Sequence, residues 1–231
     1  MFDFKQGELL LIDKAKDWTS FDVVAKVRNL IKRFTGEKVK VGHAGTLDPM
    51  ATGLLILATG KQTKRLNELQ NLDKQYIAEI TLGATTPSYD AETEIEKIFP
   101  KEHITEEKVK EVLKNFVGKQ KQMPPAYSAK KIKGKKAYEL ARKGKEVNLQ
   151  EVEIEIKNIE IVSLNLPDTI TIKVDCSKGT YIRSLAHDIG KALDSGGYLT
   201  YLRRTKIGHY KVEESVSIEQ FEEILKTMFN H

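Results

Sequence analysis

Val41-Gly42-His43-Ala44-Gly45-Thr46-Leu47-Asp48-Pro49-Met50-Ala51-Thr52-Gly53-Leu54-Leu55 is the most informative stretch of this 231-residue chain. Gly42, Gly45 and Gly53, with Ala44 and Ala51, leave the backbone bare enough for a ligand to approach closely. Pro49 restricts Asp48 to extended conformations, so its carboxylate leaves from a stiff turn. The turn runs into Leu54-Leu55-Ile56-Leu57-Ala58, an apolar run that reads as a buried strand closed by Thr59-Gly60. One carboxylate pre-positioned on a rigid scaffold is what nucleophilic catalysis requires. An ordinary Gly–Asp turn between two elements fits the same residues and, on composition alone, is the commoner case.

Outward from this turn the chain alternates between strand and helix periods. Gly7 to Asp13 reads as a short buried strand. Thr19 or Ser20 then caps a helix whose Val23, Val24, Val27, Leu30, Ile31 and Phe34 share a face, with Gly36 at its end. Lys74 to Gly83 alternates, placing Tyr76, Ala78, Ile80 and Leu82 on one strand face. Thr105 caps a helix with a stripe of Val109, Val112, Leu113, Phe116 and Val117, stopped by Gly118. Val152 to Ile161 and Ile170 to Cys176 read as two antiparallel strands joined at Pro167-Asp168. A helix is expected from Thr180 with Ile182, Leu185, Ala186, Ile189 and Leu193 inward, ending at Gly196-Gly197. A last helix starts at Ser217, with Gln220 completing a capping box. Strands and helices without regular βαβ alternation point to an α+β fold around a mixed, largely antiparallel central sheet.

Composition narrows the function. The chain is 40% hydrophobic and 31% charged with a net charge of +5, and no apolar run approaches the ~20 residues of a membrane span. The N-terminus lacks the basic start and cleavage site of a signal peptide. Cys176 is the single cysteine, which rules out intrachain disulfides and cysteine metal clusters and suits a cytoplasmic home. The positive charge is concentrated: ten lysines and arginines lie between Lys119 and Lys145, opposed by Glu139 alone. Such a segment on an otherwise balanced protein suits a polyanion, although an exposed lysine-rich loop has the same composition. P-loop, dinucleotide-binding and zinc spacings are all missing. A reaction without cofactor or metal stays open, and isomerisation is of that kind.

By residue type alone, Tyr76 is a core tyrosine, Arg183 a surface arginine on its helix and His43 a turn residue. A resemblance changes those readings. His43-Ala-Gly-Thr-Leu-Asp48-Pro, followed by Ala51, Gly53, Leu54 and Leu55, closely resembles the catalytic segment of the TruB pseudouridine synthases. Gly60-Lys61-Gln62-Thr63-Lys64, the strand from Lys74 to Gly83, Pro124 to Lys131, Gly134 to Arg142, Gly179 to Ala186 and Leu202-Arg203-Arg204-Thr205 are similar to further segments of that family, in family order. The resemblance implies a pseudouridine synthase-like fold with a catalytic cleft. The implied activity is the isomerisation of a uridine in a tRNA T-loop (position 55), with no cofactor and with Asp48 as nucleophile. It further implies that the uridine is flipped out of the loop, that His43 fills the space left behind, and that Tyr76 lies against the base. Arg183 is implied to pair with Asp48 and keep it ionised, while Tyr181 and Leu202 line the pocket. Gly45, Thr46 and Lys64 fall in the matched substrate-binding segments. Residues 119–145 become an RNA-gripping thumb, with Lys130, Lys133 and Arg142 on phosphates and Tyr127 and Tyr138 packing or stacking.

Two departures accompany the match. The family's usual Asp-Lys-Pro-x-Gly is here Asp13-Lys14-Ala15-Lys16-Asp17, which loosens that turn but touches no catalytic position. The chain also stops at His231, without room for the small RNA-binding PUA domain that many bacterial members carry. The expectation is therefore a single catalytic domain over 1–231, monomeric, recognising the T-arm of tRNA alone. A non-catalytic RNA-binding module has no need of a carboxylate facing its phosphates, and a glycoside-type hydrolase would want a second carboxylate.

Overall fold

Thr19, not Ser20, opens the first helix of the computed structural model, which describes residues 2–127, 131–132, 135–136 and 149–229. Its hydroxyl accepts from the Asp22 amide while Asp22 returns a bond to the Thr19 amide, and Gly36 closes the helix in the left-handed conformation at φ 73°. In chain order the elements are β1 (Leu9–Lys14), α1 (Ser20–Thr35), β2 (Val41–Ala44), β3 (Thr52–Thr59), a 3-10 turn (Gly60–Arg65), α2 (Leu66–Gln70), β4 (Lys74–Leu82), β5 (Ala84–Thr85), β6 (Lys97–Ile98) and α3 (Glu106–Asn115). They continue with β7 (Gly118–Gln122), β8 (Lys131–Ile132), β9 (Lys135–Lys136), β10 (Val152–Asn165), β11 (Thr169–Cys176), α4 (Ile182–Ala192), β12 (Gly197–Ile207), β13 (Tyr210–Lys211) and α5 (Ile218–Phe229).

The chain divides into two compact units, Met1–Tyr76 with Leu202–His231, and Ile77–Tyr201. In the first, β3 is the hub. It pairs antiparallel with β1 and β2 and in parallel with β12, where Arg204 sits opposite Gly53. The parallel pairing brings backbones so close that a Cβ on Gly53 would stand 2.3 Å from the Arg204 carbonyl oxygen, at φ 102°. Glycine is required there on both counts. Helices α1 and α5 cover this sheet, burying Phe4, Leu10, Ile12, Val24, Val27, Ile31, Leu55, Leu57, Phe221 and Leu225 in one cluster. Burying side chains of this size stabilises by about 1.5–3 kcal/mol each.

In the second unit β4, β11, β10 and β7 follow one another in the sheet, with β10 antiparallel to both β11 and β7. Strict alternation along β4 and β11 buries every second residue, as the period of two requires. Helix α3 contacts both β10 and α4. The sheet arrangement is mixed and mostly antiparallel, as the sequence reading expected.

Three boundaries differ from the sequence reading. Helix α3 ends at Asn115, so Val117 leaves the stripe and is exposed. Helix α4 begins at Ile182 with Tyr181 as its cap residue, not Thr180. Helix α4 also ends early, at Ala192 and not at Gly196-Gly197, and Gly197 opens the 11-residue strand β12.

Candidate active site

The Gly45–Pro49 turn, which carries Asp48, is gripped from three sides within the first unit. From one side Ser20, buried at the start of α1, donates from Oγ to the Leu47 carbonyl (3.2 Å) and accepts from the Leu47 amide (2.9 Å). Because Thr19 takes the capping duty, the Ser20 hydroxyl serves the turn instead. Lys14, at the end of β1, donates from Nζ to the carbonyls of Ala15 (2.9 Å), Trp18 (2.6 Å) and Pro49 (3.3 Å), while the Asp17 amide also reaches the Pro49 carbonyl at 2.8 Å. Three carbonyl acceptors match the three donors of an ammonium. From the third side Arg204, 1% exposed on β12, donates from Nε to the Leu54 carbonyl (2.8 Å) and from Nη2 to that of Gly45 (3.0 Å). Gly45 itself is at φ 81°. The half-buried Asp48 thus leaves a backbone whose neighbours at 45, 47 and 49 are each tied down.

The electrostatics follow from that packing. Burial pulls the Lys14 ammonium down to about 8, opposed chiefly by Asp48 and then by Asp17. His43 lies on β2 opposite Leu57, so it is a strand residue and not part of the turn. Burial first and Arg204 second hold its imidazole below the ordinary value, which keeps the ring neutral at neutral pH. Arg203, next along β12, makes a two-pronged bond to Asp13, with Nη1 to Oδ1 at 3.0 Å and Nη2 to Oδ2 at 2.7 Å. Tyr76 and Leu202 are buried, whereas Thr46 and Lys64 are exposed.

The second unit holds Arg183 and Tyr181. Arg183 is 5% exposed, which overturns the surface position that its helix pattern suggested. It donates from Nη1 to the carbonyls of Tyr127 (2.8 Å) and Ser88 (3.2 Å), and Nε lies 3.6 Å from Oδ2 of the fully buried Asp90. Asp90 is in turn held by the Ser88 hydroxyl and the Glu92 amide at Oδ1. Charge inside a protein survives when it is paired and bonded in this way. Tyr181 is half-buried, and its amide and carbonyl are both satisfied by the Gln122 side chain, at 2.8 and 3.1 Å. Lys130, Lys133, Arg142 and Tyr138 lie outside the described residues.

The family model described as TruB family pseudouridylate synthase (N terminal domain) matches residues 32–182, and the tRNA pseudouridylate synthase B C-terminal domain matches 183–230. The chain belongs to the TruB family. A relative from Phocaeicola vulgatus, named tRNA pseudouridine synthase B, is 54% identical over 96% of this chain and 95% of its own length. A protein of the same name from Flavobacterium johnsoniae is 50% identical over 97% of this chain and 98% of its own. Among solved structures, a chain of a Cbf5-Nop10-Gar1 complex aligns with TM-score 0.73 at 28% identity, covering 96% of this chain. A chain of an H/ACA RNP bound to a substrate RNA containing 2′-deoxyuridine aligns with TM-score 0.69 at 26% identity, over the same share. This TruB-family chain spans about half the length of each of those two, covering 55% and 54% of them. The α+β pseudouridine synthase fold is therefore shared.

Of the residues the sequence singled out, the first unit carries His43, Gly45, Thr46, Asp48, Lys64, Tyr76 and Leu202, and the second carries Tyr181 and Arg183. Sequence reasoning missed Lys14, Ser20, Arg204 and Asp90. Lys14 sits in the segment whose departure was read as touching no catalytic position, and its ammonium reaches Pro49, next to Asp48. A signal existed for Arg204: it shares strand parity with Leu202, the inward side of β12. For Asp90 there was none, since Ser-Tyr-Asp between Pro87 and Ala91 reads as an ordinary polar loop.

Proposed function

We propose that this TruB-family enzyme converts uridine to pseudouridine in tRNA, at position 55 of the T-loop, with Asp48 as nucleophile. The observation that carries the reading is the grip of Ser20, Lys14 and Arg204 on the Asp48 turn, in a chain 50–54% identical over its aligned length to proteins named tRNA pseudouridine synthase B. A carboxylate fixed in this manner meets its target without reorganising during the reaction.

The target uridine leaves its stack at a cost of a few kcal/mol. Neutral His43 takes up the space it vacates. The Asp48 carboxylate engages the flipped nucleotide as the N1–C1′ bond breaks, the uracil turns, and a C5–C1′ bond forms. The C5 proton is then lost and N1 gains one, so the product is an isomer of the substrate and no redox partner is needed. Tyr76 offers its ring face to the base and its hydroxyl for proton movement. Arg183 pairs with Asp48, Tyr181 and Leu202 line the pocket, and Gly45, Thr46 and Lys64 hold the substrate strand. Lys130, Lys133 and Arg142 grip phosphates of the T-arm.

Substrate position is tested with unmodified tRNA transcripts tritiated at uridine C5. Release from the native transcript and from an isolated T-arm hairpin, with loss when uridine 55 alone is replaced by cytidine, is the expected result. Undiminished release from the position-55 variant overturns the assignment.

A further inference from the structure

Tyr89 sits at φ 63°, in the left-handed region, where a bulky side chain is a genuine outlier. Such a residue persists only where its surroundings hold it. Three backbone contacts do part of that work: its amide donates to the Thr86 carbonyl at 3.2 Å, its carbonyl accepts from the Leu199 amide at 3.0 Å, and the Ala91 amide donates to the Leu199 carbonyl at 3.1 Å. The ring does the rest. It lies face to face with the imidazole of His187, at 4.0 Å between centroids and 18° between planes. His187 stands four residues after Arg183 on α4, so the two share one face a turn apart. Tyr89 immediately precedes Asp90, the carboxylate set against Arg183.

We infer that Tyr89 and His187 are positioning residues, whose ring stack clamps the 86–93 loop to α4 and so fixes the buried Asp90 carboxylate against the Arg183 guanidinium. The two rings and the two charged groups form parallel contacts between the same pair of elements, one turn of α4 apart. Opening the stack lets the loop swing about Tyr89, whose backbone has no intrinsic preference for its native angle. Burial first and Lys191 second hold His187 below its ordinary pKa, against Glu96, while burial lifts the Tyr89 phenol together with Asp188 and Glu96. The stacked pair is consequently uncharged at neutral pH. The bonds that Asp90 accepts from the Ser88 hydroxyl and the Glu92 amide lie within the loop and move with it, so the effect falls on the Asp90–Arg183 contact.

The inference rests on the isomerase reading, in which Arg183 supports the chemical step, and two readouts separate the two claims. The full chain is prepared as wild type, His187→Ala, His187→Phe and Tyr89→Asn; asparagine tolerates the left-handed angle but cannot stack. The first readout is single-turnover tritium release beside tRNA affinity. His187→Ala and Tyr89→Asn are expected to slow release by about tenfold, the scale of one aromatic pair, with Kd held within about twofold. His187→Phe, which keeps a flat ring, restores release to within about twofold of wild type. The second readout is amide hydrogen exchange of the 86–93 segment without RNA, which should quicken in His187→Ala and Tyr89→Asn but not in His187→Phe. Wild-type release rates in His187→Ala, or failure of His187→Phe to rescue, overturn the inference. Unchanged exchange in all variants overturns it too, whether or not the wild type releases tritium; an inactive wild type with the expected exchange pattern removes the isomerase reading alone.

Discussion

Replacing Ser20 by alanine tests the grip on the Asp48 turn with a single atom. The hydroxyl makes two bonds to one residue, donating to the Leu47 carbonyl and accepting from its amide, and both Ser20 and Leu47 are buried. Alanine fits the space, so the perturbation leaves an unpaired buried donor and an unpaired buried acceptor. Each such group costs about 1–3 kcal/mol, partly offset because the hydroxyl no longer needs desolvation, for a net loss of about 2–4 kcal/mol. In a chain of this size each kcal/mol moves Tm by about 2–4 °C, so a fall of roughly 4–16 °C is expected by calorimetry. Loss of the tether also frees the residue beside Asp48. Misplacing a reacting group by 1 Å costs about 10²-fold, so single-turnover tritium release should fall about 10- to 100-fold while tRNA affinity holds within about twofold. Unchanged Tm together with an unchanged rate would refute the reasoning.

Three further outcomes follow from the same geometry. Lys14→Met removes a lysine whose native pKa, about 8, lies below the ordinary 10.5; between those values the unfolded chain keeps a proton that the native chain releases, so wild-type stability relative to the variant rises with pH across that window and is flat below it. Urea unfolding at pH 7, 8, 9 and 10 checks this, and a constant difference from pH 8 to 10 contradicts it. Gly53→Ala drives a Cβ into the Arg204 backbone at φ 102° and should cost about 3 kcal/mol or more, whereas Gly36→Ala, at φ 73° in open space, should cost about 1; equal melting temperatures for the two variants contradict the close approach of β3 and β12. Substituting Lys130, Lys133 and Arg142 together should weaken tRNA binding and flatten the slope of log K against log salt by about 2–3 units, at roughly 0.7–0.9 per phosphate contact, and an unchanged slope removes these residues from the interface.

The parts of the fold that sequence makes legible are those with a clean period. The capping box at Ser217–Gln220, the helix start at Thr19 or Ser20 and the alternation of β4 and β11 stood in the sequence and recur in the structure, which settles the cap on Thr19. Strand β12 was not legible, because its burial pattern slips out of step at Tyr201 and two arginines interrupt it. A sequence reading sends arginine and lysine to solvent, and here Arg204 and Lys14 are buried because backbone carbonyls consume their donors. That exchange depends on where the Gly45–Pro49 and Ala15–Trp18 carbonyls point, which no residue spacing reports. Arg183 follows the same rule: Tyr127, Ser88 and Asp90 meet it from segments 56 to 95 residues away. The start of α4 was misplaced because Thr180 has the look of a cap, while the terminus is in fact served by the distant Gln122 side chain.

The central claim is that Asp48 performs the isomerisation, and tritium release from C5-labelled unmodified tRNA tests it most directly, with wild type and Asp48→Asn compared at equal tRNA occupancy. Asparagine keeps the size and the turn but cannot act as a carboxylate nucleophile. The account predicts release by wild type and none by Asp48→Asn, with tRNA affinity retained in both. Release by Asp48→Asn at the wild-type rate would contradict it.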